Sequence, residues 1–79
     1  MSTKEIKPGK YRHYKGKDYE VFDVATHSED ESVYVVYRPL YGDRALWVRP
    51  FDMFVEEVDV DGVKRPRFAY VREVPEDEL

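Results

Sequence analysis

Asp18-Tyr19-Glu20-Val21-Phe22-Asp23-Val24-Ala25-Thr26 is the stretch that decides the fold class. Tyr, Val, Phe and Thr favour a pleated, half-buried backbone, and no helical stripe of apolar residues runs through the segment. Its apolar side chains fall on both parities. A strand with one wet face would alternate, so this run reads as a central strand with a bulge or a covered second face.

Working outward, Gly9 to Tyr14 alternates, with Tyr11 and His13 on one face and Arg12 and Tyr14 on the other. Lys15-Gly16-Lys17 turns the chain into the central strand. His27 to Ser32 has no apolar residue and reads as a polar loop, followed by a third strand over Val33 to Arg38. Pro39 to Arg44 is a turn region, and Ala45 to Arg49 a fourth strand. Pro50 then fits the first position of a short helical or 3₁₀ turn through Phe54. Val55 to Val60 and Val63 to Val71 flank Asp61-Gly62, a pair suited to the positive φ angles of a type I′ hairpin. Pro66 cannot donate to a ladder, so the last strand lies at an edge or begins after it. Five or six short strands without an amphipathic helix predict an all-β domain, either a small barrel or a pair of packed sheets.

Seventy-nine residues allow one core. A flexible start over 1–8, one β domain over 9–72 and an acidic tail over 73–79 are expected. With no cysteine, neither disulfides nor thiolate zinc sites are available to a chain of this size. Twelve aromatic residues and the many valines must supply the stability by packing. No apolar run resembles a signal peptide or approaches the roughly 20 residues of a membrane span, so a cytoplasmic location without membrane contact is expected. The ending Glu76-Asp77-Glu78-Leu79 lacks the basic or histidine position of an endoplasmic-reticulum retention signal and reads as a solvated tail.

Charge is uneven. Residues 1–17 hold six basic side chains against one acid, the segment 18–72 is net −5, and 73–79 is net −4. A uniformly basic nucleic-acid surface is therefore absent.

Several segments occur in order that are similar to a known bacterial family. They are Gly9-Lys10-Tyr11-Arg12-His13-Tyr14-Lys15-Gly16-Lys17, Ala25-Thr26-His27-Ser28-Glu29, Val36-Tyr37-Arg38-Pro39-Leu40-Tyr41-Gly42-Asp43, Trp47-Val48-Arg49-Pro50, Met53-Phe54 and Pro66-Arg67-Phe68. Together they resemble the family catalogued as domain of unknown function 1653, from about Gly9 to Phe68. Pro39 stands where the usual family motif has a small or apolar residue. The resemblance implies a small SH3-like β-barrel with one short helical turn near residues 50–54, and it implies no established activity.

Catalysis finds little support. Ser28 or Ser32 with His27 and Asp43 are the only candidates for a nucleophilic constellation, and His27 and Ser28 point to opposite sides of an extended chain with no nucleophile elbow around them. His27, Glu29 and Asp30 read as a solvated loop rather than a metal site, and the four glycines are isolated turn residues. No enzymatic activity, cofactor or metal is expected.

Binding has two candidate surfaces. His27, Arg38, Tyr41, Trp47 and Arg49 lie at strand ends and turns around one rim, where arginine offers a planar fork for carboxylate or phosphate and Trp or Tyr a stacking face. Their structural reading is that Trp47 and Tyr41 pack while Arg38 and Arg49 pair with Asp43, Asp52 or Glu20. The expected ligand is an anionic or planar small molecule, or a peptide. Lys10, Arg12, Tyr14, Lys15 and Lys17 form the alternative, a basic strand with interleaved aromatics for RNA or DNA. Its structural reading is a lysine-guarded strand edge.

Overall fold

The computed structural model describes residues 4–74. Parts of the expected flexible start, and the acidic tail from residue 75 with its Glu76 to Leu79 ending, lie outside the described residues. Within them the chain is mainly β. The elements are β1 (Gly9–His13), β2 (Asp18–Thr26), β3 (Val33–Pro39), β4 (Trp47–Pro50), α1 (Phe51–Phe54), β5 (Glu57–Val60), β6 (Val63–Pro66) and β7 (Phe68–Arg72). Among the described residues no helix is long and apolar enough to cross a membrane.

Five strands form one antiparallel sheet in the order β4-β3-β2-β1-β7, and β5 pairs with β6 in a second. The expected barrel does not close: β4 and β7 remain the edges of the large sheet. The reason lies between them, where the chain forms α1 and the separate β5–β6 hairpin before β7 returns to pair with β1.

The central strand carries the bulge its composition predicts. Val21 faces Tyr37 and Asp23 faces Val36, so Phe22 is the extra residue. Tyr19 and Val21 are buried on the core side, and Phe22, displaced by the bulge, lies under the Arg38 guanidinium at 5.0 Å. Both parities are thereby covered.

Short polar segments set the turns. The loop after β2 is closed by its own side chains: His27 Nδ1 accepts the Glu29 N–H at 3.1 Å, and Ser32 donates its N–H and its hydroxyl to Asp30 at 3.0 and 2.7 Å. Asp61 and Gly62 take φ of 53° and 80°, the paired positive values of the expected type I′ turn.

Strand ends shift by one or two residues from the sequence reading, β4 starting at Trp47 rather than Ala45 and β5 at Glu57 rather than Val55, and two further differences have a clear physical cause. Pro50 ends β4 and occupies the position preceding α1, rather than the first helical position. Val63 to Val71 is not one strand, because β6 stops at Pro66 and β7 begins at Phe68. Pro66 has no N–H to extend a ladder. At Arg67 the backbone changes partner, its N–H donating to Glu56 O at 3.0 Å and its carbonyl accepting from Tyr14 N–H at 3.0 Å. The guanidinium fixes this junction through two nitrogens on Glu56 Oε1, at 3.0 and 2.6 Å.

The core is Tyr11, Tyr19, Val21, Val35, Tyr37, Phe54 and Phe68. α1 contributes Phe54, which stacks on Phe68 of β7 with centroids 4.1 Å apart and rings 2° from parallel. Gly9 joins β1 to β7 closely: its φ is +144°, and a Cβ there would stand 2.7 Å from the Arg72 carbonyl oxygen. Gly9→Ala is therefore expected to lower stability by about 1 to 3 kcal/mol, the usual cost of such backbone strain. Urea melts of the two proteins check it, and equal midpoints would refute the close-approach account.

Candidate functional site

β3 and β4 build the site by their register. Tyr37 stands opposite Trp47 and Val35 opposite Arg49, so the two-residue period sends all four side chains to the core face. Beside them β2 contributes Tyr19, whose ring lies 5.6 Å from Tyr37 and 6.2 Å from Trp47. Tyr41, from the segment after β3, meets Tyr19 edge-on at 5.8 Å, and the two hydroxyls are hydrogen-bonded at 3.0 Å. Trp47 and Tyr41 remain 42% and 40% exposed, so these rings form an open ledge above the buried tyrosines.

Arg49 is the charge on that ledge. Its Nε donates to the Tyr37 hydroxyl at 3.3 Å, and its guanidinium lies 5.8 Å from the Phe68 ring. It has no acidic partner among the described residues. Lys17 adds a second cation, with Nζ 5.1 Å from the Tyr41 ring. Burial, then the hydrogen bond to Tyr41, pushes the Tyr19 phenol up to about 12. His13, packed 4.9 Å from Phe68 and 6.3 Å from Tyr19, is held below the usual histidine range by burial and by Arg67, Lys15 and Arg49.

These shifts have consequences of definite sign. The unfolded chain takes a proton on His13 near pH 6.5, whereas the fold accepts it only at lower pH. Stability is full above that value and declines as the pH falls through the folded pKa. Tyr19 gives the opposite limb, with stability full below pH 10 and declining as the pH rises toward about 12. Denaturation midpoints from pH 7.5 down to 5 should fall, and His13→Gln should flatten that fall. An unchanged slope in the variant would refute the His13 assignment.

Of the five rim residues named from the sequence, Tyr41, Trp47 and Arg49 come together. Arg38 does not join them, because one residue beyond Tyr37 it points to the other face. There its Nε lies 3.5 Å from Glu20 Oε1, an ion pair too loose for a hydrogen bond, and that buried nitrogen has no other partner among the described residues. Glu20 itself is buried. His27 sits at the far end of β2, its ring 6.1 Å from Tyr34 and its Nδ1 engaged within its own loop. Asp52, considered as an arginine partner, pairs with Lys4 at 3.2 Å.

The alternative basic set is divided as well. Lys10 and Arg12 both engage Asp18, at 3.4 and 2.7 Å, and the Arg12 hydrogen bond holds that carboxyl below the usual range. Tyr14 packs on the His13 ring at 4.5 Å under the Lys15 ammonium, while Lys17 belongs to the ledge. Sequence reasoning left Tyr19, Tyr37 and His13 out of the site. The signal for the first two was their inward parity on β2 and β3. His13 and Phe68 are joined by the β1–β7 pairing, which no local pattern announces.

Comparison with known proteins gives the relationship. Residues 9–70 match the model of a family described as protein of unknown function, DUF1653. The chain belongs to the DUF1653 family. A crystal structure of a DUF1653 protein from Bordetella bronchiseptica is similar to this domain at 39% sequence identity, with a TM-score of 0.79 over 89% of this chain and 92% of that one. Comparison with curated proteins returned no match. In this DUF1653 domain the family match takes in every residue of the ledge, from His13 to Phe68.

Proposed function

We propose that this domain is a non-catalytic, cytoplasmic binding module whose ledge of Tyr41, Trp47 and Arg49 takes a planar ligand bearing a carboxylate or phosphate. The observation that carries the reading is Arg49, a guanidinium without an acid partner among the described residues, set on the Tyr37 hydroxyl and beside the Phe68 ring, on the same face of β4 as Trp47. The fork supplies bidentate recognition of an oxyanion, and the indole supplies a stacking face.

An aromatic ledge alone would also suit a ligand cation. Magnitudes decide against that here. Cation–π attraction at an exposed site is worth about 0.5 to 1 kcal/mol, whereas a like charge some 5 Å away repels by about 1 to 3 kcal/mol between effective dielectrics of 80 and 20. Arg49 and Lys17 both oppose a cation. The nucleic-acid reading is weaker, since Lys10 and Arg12 are both drawn onto the Asp18 carboxylate rather than left open to phosphates. We also keep as a proposal that sheet and hairpin approximate an SH3-like half-barrel. The Phe54–Phe68 stack supports it, because through it α1 reaches toward β7.

Benzoate, phenyl phosphate and benzylammonium share one ring and differ in charge. Titrated into the isotope-labelled protein, the two anions should shift the Trp47 indole N–H and the Arg49 Nε–H, and the cation should leave both in place. Equal responses to the cation, or shifts confined to other surfaces, would defeat the proposal.

A further inference from the structure

At the β1–β7 end of the sheet, on the face to which Arg12 and Ala69 point, lies a groove of about 490 Å³ lined by Arg12, Tyr14, Arg65, Pro66, Ala69 and Val71. It shares His13 with the ledge but none of Tyr41, Trp47 or Arg49. β7 borders it and is an edge strand, with no strand on its outer side among the described residues. Ala69, Tyr70 and Val71 are exposed there. Soluble proteins normally guard such an edge with lysine, proline or an inward charge. The middle of β7 has none of these, and its only charged residue is the terminal Arg72.

From this we infer that β7 and its groove take up an extended acidic segment of another protein, which adds as a sixth strand beside β7 and lays alternate side chains along the groove. Main-chain hydrogen bonds to an open edge supply affinity without sequence demands, and pockets for alternate side chains supply the selection. The chemistry of the partner follows from the local charge. Arg65 has no acidic partner among the described residues, Lys15 stands over the Tyr14 ring, and Arg12 shares the single Asp18 carboxylate with Lys10. The groove is thus positive in a chain whose net charge is −4. Its lining of Pro66, Ala69, Val71 and Tyr14 suits apolar residues between the acids. A nucleic-acid strand would use the same cations but not the open main-chain edge, and the edge is the feature that favours a peptide.

The test uses the full chain and a fluorescein-labelled ten-residue peptide alternating Glu and Val. Its lysine counterpart and a ten-residue oligothymidine serve as comparisons. The acidic peptide should bind with amide shifts and slowed hydrogen exchange over Phe68–Arg72 and with the Trp47 indole unmoved. Arg65→Glu should weaken binding at least tenfold while leaving the melting temperature unchanged, and Trp47→Ala should leave binding intact. That last variant separates this site from the ledge. The inference is overturned by equal binding of the lysine peptide, by indifference to Arg65→Glu, or by shifts confined to Trp47 and Arg49. Tighter binding of the oligothymidine at the same residues, or self-association of the free domain through β7, would likewise overturn it.

Discussion

Replacing Phe54 by alanine should remove most of the stability of this domain. Phe54 is 1% exposed and is the single buried residue of α1. Its ring meets Phe68 in parallel at 4.1 Å and Tyr11 and Tyr37 edge-on at 5.8 and 5.2 Å, so it touches three strands of the sheet at once. Truncating a buried Phe costs about 3 to 5 kcal/mol, the sum of lost transfer energy and the cavity left behind. A domain this small has a total near the lower end of about 5 to 15 kcal/mol, and there is no disulfide to hold the chain when packing fails. Met53→Ala is the control next door: Met53 is 47% exposed, and its loss should stay within about 0.5 kcal/mol. Urea unfolding of the three proteins at constant slope measures the difference. A Phe54→Ala midpoint within 1 kcal/mol of the parent would mean that α1 is an ornament on the sheet rather than the plug of its core.

How far the sequence revealed this arrangement depends on the range of each interaction. β2 was legible with its bulge, because nine consecutive residues with apolar side chains on both parities admit few other readings. The type I′ hairpin was legible from two residues, since Asp61-Gly62 satisfies a purely local backbone demand. The division of β6 from β7 was half legible: Pro66 forbids a continuous ladder, but the new partner of Arg67, found on Glu56 and Tyr14, is a tertiary choice. The open sheet was hidden for the same reason, as the pairing of β7 with β1 joins residues 55 to 62 positions apart.

The site divides along the same line. Trp47 and Arg49, two residues apart on one strand, share a face by period alone. Arg38 was grouped with them by its proximity to a turn, but parity beside the inward Tyr37 already sent it to the other side. Tyr19 and Tyr37 are core residues, 8% and 3% exposed. Their hydroxyls nonetheless reach the ledge, a dual role that amphipathic aromatics permit and that composition cannot display.

Trp47→Ala should separate binding from stability on the ledge. With 42% of its surface exposed, Trp47 buries less than Phe54 relative to its size, and its loss should cost about 1 to 3 kcal/mol at 25 cal/mol per Å². The variant therefore stays folded. Its affinity for phenyl phosphate, by contrast, should fall by the roughly 1 to 3 kcal/mol that aromatic stacking contributes, which is about five- to 150-fold. Arg49 sharpens the distinction. Arg49→Lys keeps the charge and loses the fork, so an oxyanion held by two N–H groups should bind about tenfold more weakly, while a ligand sensing only charge would bind as before. Arg49→Ala should weaken binding by up to about 100-fold, the scale of a charge-assisted hydrogen bond, and leave the Phe54–Phe68 stack in place. Melting curves and shift titrations on the same samples give both quantities. If Trp47→Ala unfolds the domain, the indole is a core residue; if it melts near the parent and binds phenyl phosphate equally well, the ledge is not where this domain meets its ligand.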